Sequence, residues 1–114
     1  MNMLSMLESE MAGGDELIPF DFVVGVGCEL FGVTRMDLAS VRRGRLPAVR
    51  WVVFAALRDL SGLRFTEIAE LVGRGESHYS GVLHGVSAAR RRIPKALAEF
   101  EREVTRRWRE RGEE

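Results

Sequence analysis

The chain has little cysteine, little lysine and no long apolar segment, and each shortage excludes a class of protein or site. Cys28 is the only cysteine, which excludes an internal disulfide and a cysteine-based zinc site. The longest apolar run, residues 51–57, is far too short to cross a bilayer. The first residues carry Glu8 and Glu10 and lack a basic segment, so they do not resemble a secretory signal. We therefore expect a cytoplasmic protein without a membrane span.

No pattern of catalytic or cofactor-binding residues is present in the sequence. The phosphate-binding motif G-x-x-x-x-G-K-[ST] is missing, so we expect no ATP hydrolysis. His78 and His84 are six residues apart and would face different sides of a helix, which does not complete a zinc site. Glu67 and Glu70 lack the further partners that a catalytic pair needs. We expect neither an enzyme nor a bound cofactor or metal.

Length and composition favour one small helical domain. The chain has 114 residues, 46% hydrophobic and 30% charged, which suits a single globular domain with a modest core. Residues 1–19 are expected to form an acidic, frayed lead-in, and residues 20–112 the folded domain. We predict an all-α, compact bundle of about six helices with a helix-turn-helix and a long C-terminal helix. The apolar stripe expected to pack that last helix on the core is Ile93, Leu97, Phe100, Val104 and Trp108.

Capping residues and apolar spacing locate the helices. The predicted helices are residues 21–30, a short helix ending near Ala39, and residues 47–60, 66–72, 77–86 and 88–111. The first of them contains the run FVVGVG, which could form a strand on propensity alone. We prefer a helix because no other segment resembles a strand partner. Asp21 and Ser77 are predicted N-caps. Thr34 and Asp37 are predicted to cap the short helix.

Residues 65–86 have the layout of a helix-turn-helix, with a short helix, a turn containing glycine and a second helix. Gly73 and Gly75 allow the left-handed backbone conformations that a sharp turn needs. The apolar residues expected to bury the two helices are Ile68, Leu71, Val72, Val82, Leu83 and Val86.

The N-terminal end of the second motif helix is then left for a ligand. His78, Tyr79 and Gly81 are the candidates for its outward side, and Ser80 sits with them. Recognition helices present this end to bases, and its N–H groups attract phosphate. An ordinary helical hairpin with a polar surface is the alternative.

Charge is balanced overall but unevenly distributed. Residues 1–21 hold five acidic residues and no Lys or Arg, whereas residues 35–64 hold seven arginines and two aspartates. Affinity for DNA depends on the local patch more than on the zero net charge. Arg42, Arg43 and Arg45 lie in a predicted basic loop, residues 40–46. Arginine from a loop can enter a narrow minor groove, although a solvated charge run is the alternative.

Residues 23–92, about two-thirds of the chain, resemble the C-terminal DNA-binding domain of the bacterial chromosomal replication initiator DnaA. The segments that carry the resemblance are CELFGVTRMDLASVRRGR, VRWVVFAALRDLSGLRFTEIAELVG and SHYSGVLHG. The last falls where the family typically has Asp-His-Ser/Thr-Thr-Val-Leu-His-Ala. In that family the basic loop enters the minor groove, and the motif helix reads a short asymmetric duplex site in the major groove.

The resemblance implies DNA-contacting arginines. Arg42, Arg43 and Arg45 lie where the family has its minor-groove loop. Arg50 lies where the family has a phosphate-contacting arginine at the start of its long helix. The full set of predicted DNA-binding residues is Arg42, Arg43, Arg45, Arg50, Thr66, Ser77, His78, Tyr79, Ser80 and His84.

The motif helix departs from the family pattern. His78 falls at the family's Asp and Tyr79 at its His. Ser80 falls at the base-contacting Ser/Thr, and His84 matches the His of the pattern. Gly81 replaces a Thr, which removes a hydroxyl and weakens the helix by about 1 kcal/mol relative to Ala. Because Asp can accept from cytosine whereas His78 can donate or accept, we expect altered specificity, or phosphate binding without base reading.

These patterns together predict sequence-preferring binding of double-stranded DNA. We expect a stand-alone, nucleoid-associated domain with a regulatory role in replication, transcription or transposition. The alternative is a degenerate helix-turn-helix fold that acts as a protein–protein interaction module through its last helix or acidic N-terminus. The changed residues at positions 78, 79 and 81 and the zero net charge favour that alternative, and the arginine loop disfavours it. A homodimer through the C-terminal helix is left open.

Overall fold

The computed structural model describes residues 16–40 and 46–111, and every regular element in these ranges is helical. A single turn of 3-10 helix, Glu76–His78, also occurs. This confirms the prediction of an all-α bundle of about six helices. The α-helices are α1 (Phe20–Phe31), α2 (Arg35–Ala39), α3 (Leu46–Leu60), α4 (Phe65–Leu71), α5 (Tyr79–Arg92) and α6 (Pro94–Arg111).

Two parts of the sequence prediction fall partly or wholly on residues outside these ranges. Most of the predicted lead-in lies there, and so do Arg42, Arg43 and Arg45. The end of the lead-in is described and is held in place. Ile18 is buried, its N–H donates to the carbonyl of Leu60 at 2.9 Å, and its own carbonyl accepts from the Ser61 hydroxyl at 2.6 Å.

The central helix of the bundle is α3, which packs against each of the other five α-helices. The middle of a helix enclosed in this way is apolar on every side, not on one stripe. The consecutive buried residues of α3 are Val52, Val53, Phe54, Ala55, Ala56 and Leu57. The other helices therefore take their positions from contacts with α3.

The predicted N-cap of α1 was wrong. The helix begins at Phe20, with Pro19 as its N-cap, and the Pro19 carbonyl accepts from Val23 N at 3.2 Å. Asp21 therefore lies inside the first turn, where its carboxylate pairs with Arg35 at 2.9 Å. A carboxylate in this position also suits the positive end of the helix dipole.

The predicted end of α1 and the predicted cap of α2 are confirmed. Gly32 ends α1 with a left-handed φ of 65°. Thr34 and Asp37 form a reciprocal capping box at the start of α2. Asp37 N donates to the Thr34 hydroxyl at 3.1 Å, and Thr34 N donates to the Asp37 carboxylate at 2.9 Å.

The predicted boundary between the last two helices was wrong. Instead of ending at Val86, α5 continues to Arg92, and the break falls at Ile93, with φ −136° and ψ 48°. Pro94 explains the position of the break. Proline has no N–H to donate, and its ring disfavours helical geometry in the residue before it, yet it suits the first position of a new helix.

The apolar stripe of α6 packs on the core as predicted. Leu97, Phe100 and Val104 are buried, and Ile93 and Trp108 pack against the core at its edge. The ring of Trp108 meets Phe22 of α1 edge to face, with centroids 5.0 Å apart. Aromatic pairs in this geometry add to the free energy of burial.

A charged cluster joins α3, α5 and α6. Arg90 donates to the Asp59 carboxylate at 2.7 Å, and Glu101 shares a hydrogen bond with Asp59. Burial, that hydrogen bond and the negative charge of Asp59 raise the pKa of Glu101 to about 8, against the opposing effect of Arg90. At neutral pH the Glu101 carboxyl therefore carries a proton.

This cluster makes stability depend on pH. The unfolded chain releases the Glu101 proton near its ordinary pKa of 4.5, whereas the folded chain holds it until about pH 8. Stability should therefore fall as pH rises from 4.5 to 8. Glu101→Gln should remove this slope and stabilise the protein at pH 9 by on the order of 1 kcal/mol, after discounting for solvent screening.

Urea unfolding at pH 5, 7 and 9 tests this expectation. Glu99→Gln, on the exposed side of α6, is the matched control and should keep the wild-type slope. Equal pH slopes for the two variants would contradict the assignment.

Candidate nucleic-acid interface

Helix α4, the turn after it and α5 follow one another as helix, turn and helix, and together we call them the α4–α5 unit. The start of α4 is fixed by Glu67, whose carboxylate accepts from the backbone N–H of Arg64 at 3.0 Å. The turn contains Gly73 and Gly75, which have φ of 95° and 87°. The predicted left-handed conformations are therefore confirmed, and side chains at either position would be strained.

The predicted N-cap of the second motif helix was wrong. Ser77 lies inside the 3-10 turn, and α5 begins two residues later, at Tyr79. Its N-cap is His78, which makes no capping hydrogen bond through its side chain. The Ser77 hydroxyl instead lies 3.3 Å from Nδ1 of His78. The shift arises because Glu76–His78 winds into the 3-10 turn before α5 begins.

One face of α5 lies close against α3. Val82 and Val86 are buried there, with Gly85 between them. A Cβ on Gly85 would lie 3.2 Å from both Phe54 and Trp51, so the glycine lets the two helices approach closely. Such a contact leaves little room for added volume.

Two apolar residues predicted to be buried are exposed instead. Leu83 of α5 is 44% exposed and Leu71 of α4 is 51% exposed. Each step along a helix turns the side chain by about 100°, so the face that buries Val82 and Val86 turns Leu83 outward. Leu71 is the last residue of α4, beyond the buried pair Ile68 and Ala69.

The outward side of α5 holds most of the predicted site residues of the motif. His78, Tyr79, Ser80 and His84 are all exposed, and so is Ser77 in the turn before them. Thr66, at the start of α4, is half-buried.

Two adjoining clefts flank the start of α5. The larger, of about 440 Å³, is lined by Pro47, Arg50, Trp51, Phe54, Arg74, Gly81 and His84. The smaller, of about 340 Å³, is lined by Ala39, Arg74, His78, Ser80 and Gly81. Of the predicted site residues, Arg50 and His84 therefore line the larger cleft, and His78 and Ser80 line the smaller one. Thr66, Ser77 and Tyr79 line neither cleft.

The larger cleft combines buried cations with aromatic rings. Arg50 is only 7% exposed, and burial lowers the pKa of its guanidinium. The ring of Trp51 meets His84 edge to face at 6.2 Å, and Arg92 stacks over Trp51 at 5.7 Å. Arginine and histidine donors of this kind suit an anionic ligand.

Arg74 is the residue that sequence reasoning missed. It lines both clefts, its guanidinium lies 5.1 Å from the Phe54 ring, and its Nη2 donates to the Ser40 carbonyl at 3.0 Å. Burial and the nearby charge of Arg50 lower its pKa. The sequence signal was present, because Arg74 stands between two glycines in the turn before α5.

Comparison with known proteins finds no relative of this chain. The chain matches no protein-family model, no curated protein and no solved structure. Across residues 16–40 and 46–111, no helix is long and apolar enough to cross a membrane.

The close contact at Gly85 gives a direct test of how α5 is held. Gly85→Val should overpack the α3–α5 contact and lower the free energy of unfolding by about 2 kcal/mol relative to its control. The control is Gly25→Val, because Gly25 is an exposed helix residue whose added Cβ would meet nothing within 4 Å. Urea unfolding of both variants measures the difference, and an equal loss in the two would show that α5 is not tightly packed at this point.

Proposed function

We propose that this chain binds double-stranded DNA through the α4–α5 unit and the arginines beside it. The observation that carries the proposal is the exposed start of α5, which is flanked by the clefts that hold Arg50 and Arg74. In helix-turn-helix proteins the second helix lies in the major groove, with its N-terminal residues at the base edges. The opposite face of α5 is buried on α3, so only this side is free to meet a ligand.

The charge around α5 supports the same ligand. Residues 72–92 contain four arginines and one carboxylate, that of Glu76. Arg90 pairs with Asp59, whereas Arg91 and Arg92 are exposed at the end of the helix. Arginine binds phosphate through charge-assisted hydrogen bonds, and local charge matters more for DNA affinity than net charge does.

The described residues on either side of the arginine segment, residues 42–45, lie beside the same face. Arg42, Arg43 and Arg45 lie between Ser40, which accepts a hydrogen bond from Arg74, and Pro47, which lines the larger cleft. Both ends of the segment are thus attached beside the α4–α5 unit. We infer a division of labour in which these arginines hold the backbone or minor groove while α5 reads the major groove.

The likeness to the DnaA C-terminal domain is part of this proposal. In that domain an arginine loop is followed by a long helix and then by the motif helices. Residues 42–45, α3 and the α4–α5 unit follow one another in the same order along this chain. The differences at His78, Tyr79 and Gly81 imply a target sequence of this chain's own. In the cell such a domain would act at the nucleoid, as a regulator that carries no ATPase motif.

A second function is favoured by the apolar side chains exposed on α5. Tyr79 and Leu83 are 45% and 44% exposed and lie one turn apart, so they share a face of the helix. Exposed apolar patches mark protein-interaction sites. A protein-interaction module is therefore the competing proposal, and only the DNA proposal requires binding to duplex that weakens with salt.

Fluorescence anisotropy of a labelled random duplex across a salt series tests the proposal. We expect duplex binding that weakens steeply with salt, and weaker binding to single strands.

Arg43→Gln should weaken binding to all sequences alike and reduce the salt slope by about one phosphate contact. Arg102→Gln, on the exposed side of α6, is the control and should bind as the wild type does. Absence of duplex binding at low salt would overturn the proposal in favour of a protein partner.

A further inference from the structure

The guanidinium of Arg74 occupies the space above Gly81 in the first turn of α5. A Cβ on Gly81 would lie 2.8 Å from Nη1 of Arg74, closer than Cβ atoms approach their neighbours in real proteins. Nη2 is tied to the carbonyl of Ser40 after α2, and the ring of Phe54 in α3 lies beneath the group. Three elements therefore hold the guanidinium at this place.

Nothing in the backbone requires glycine at position 81. Gly81 is the third residue of α5 and is not among the glycines with positive φ, unlike Gly73 and Gly75 in the turn before it. Glycine also weakens a helix interior relative to alanine. Among the described atoms, Nη1 of Arg74 is the one that a Cβ at 81 would meet within 4 Å. The glycine therefore makes room for Arg74.

Arg74 holds its charge where a ligand of α5 would lie. It lines the cleft that contains Arg50 and also the cleft that contains His78 and Ser80. Arg50 and Arg74 are close enough for their charges to interact unfavourably. Both positive charges favour an anionic ligand at this place.

We propose that Arg74 contacts a DNA phosphate from across Gly81, in place of a side chain of α5 at that position. The inference rests on the proposed function, because it takes α5 to lie against duplex DNA. A phosphate is favoured over a base because one of the two N–H groups of Nη2 is engaged by Ser40, which leaves fewer donors for a two-point contact. Reading guanine takes two donors of the fork together, whereas a phosphate oxygen accepts from one.

A double-mutant cycle on duplex binding tests the proposal. Arg74→Met removes the charge and keeps most of the stem. Gly81→Ala keeps the charge but displaces the guanidinium, which can move because it is the end of a flexible side chain. Each variant should lower duplex affinity about tenfold and reduce the salt slope by about one. The double variant should bind no more weakly than Arg74→Met alone, because both changes remove one contact.

The controls separate this effect from folding and from general charge. Gly25→Ala makes the same chemical change on the exposed side of α1, where a Cβ meets nothing within 4 Å, and Arg102→Met removes a charge from α6. Both should bind duplex as the wild type does. Gly81→Ala should melt close to the wild type, since the preference of the helix for alanine offsets the loss of the Arg74 contacts. Its weaker DNA binding would therefore not reflect loss of the fold.

The outcomes distinguish this inference from the function on which it rests. Wild-type affinity of Gly81→Ala, or additive losses in the double variant, would overturn the role of Arg74 and leave duplex binding intact. Failure of the wild-type chain itself to bind duplex at low salt would overturn the proposed function.

Discussion

The close contact between α5 and α3 is the constraint on which the rest of the arrangement depends. It is possible because Gly85 lets the backbone of α5 approach Trp51 and Phe54 to a distance that a larger residue would not allow. Once Val82 and Val86 are buried at this contact, the rotation of α5 about its axis is fixed. The same packing that completes the core therefore decides which residues of α5 face outward. The outward face and the core face are opposite sides of α5, so a rotation of the helix that altered one would also alter the other.

The positive charge of the site comes from the packing of a few arginines, not from an excess of basic residues in the chain. The chain has no net charge, yet Arg50 and Arg74 line one cleft at the start of α5, where the guanidinium of Arg74 lies over the Phe54 ring. Their like charges interact unfavourably and favour an anionic ligand in the cleft. We therefore interpret the pair of arginines as part of a binding site, not as a contribution to stability. The ion pair of Arg90 with Asp59 lies elsewhere, toward the other end of α5.

Features that depend on a few neighbouring residues could be predicted from the sequence, and those that depend on tertiary contact could not. The glycine stop at Gly32 and the helical periods needed only local patterns. The break before Pro94 was also available locally and was overlooked. In contrast, the exposure of Leu83 follows from the rotation of α5, which α3 determines. The role of Ser77 depends on how the long turn winds, and the position of Arg74 depends on three separate elements.

The central claim is that the start of α5 and the clefts beside it are the surface that meets DNA. Amide chemical-shift mapping by NMR during titration with a random duplex tests it most directly. The account predicts shifts in the turn at residues 72–78, in the first two turns of α5 and around Arg50, with the outer side of α6 unchanged. Shifts concentrated along α6, with the start of α5 unaffected, would contradict the account.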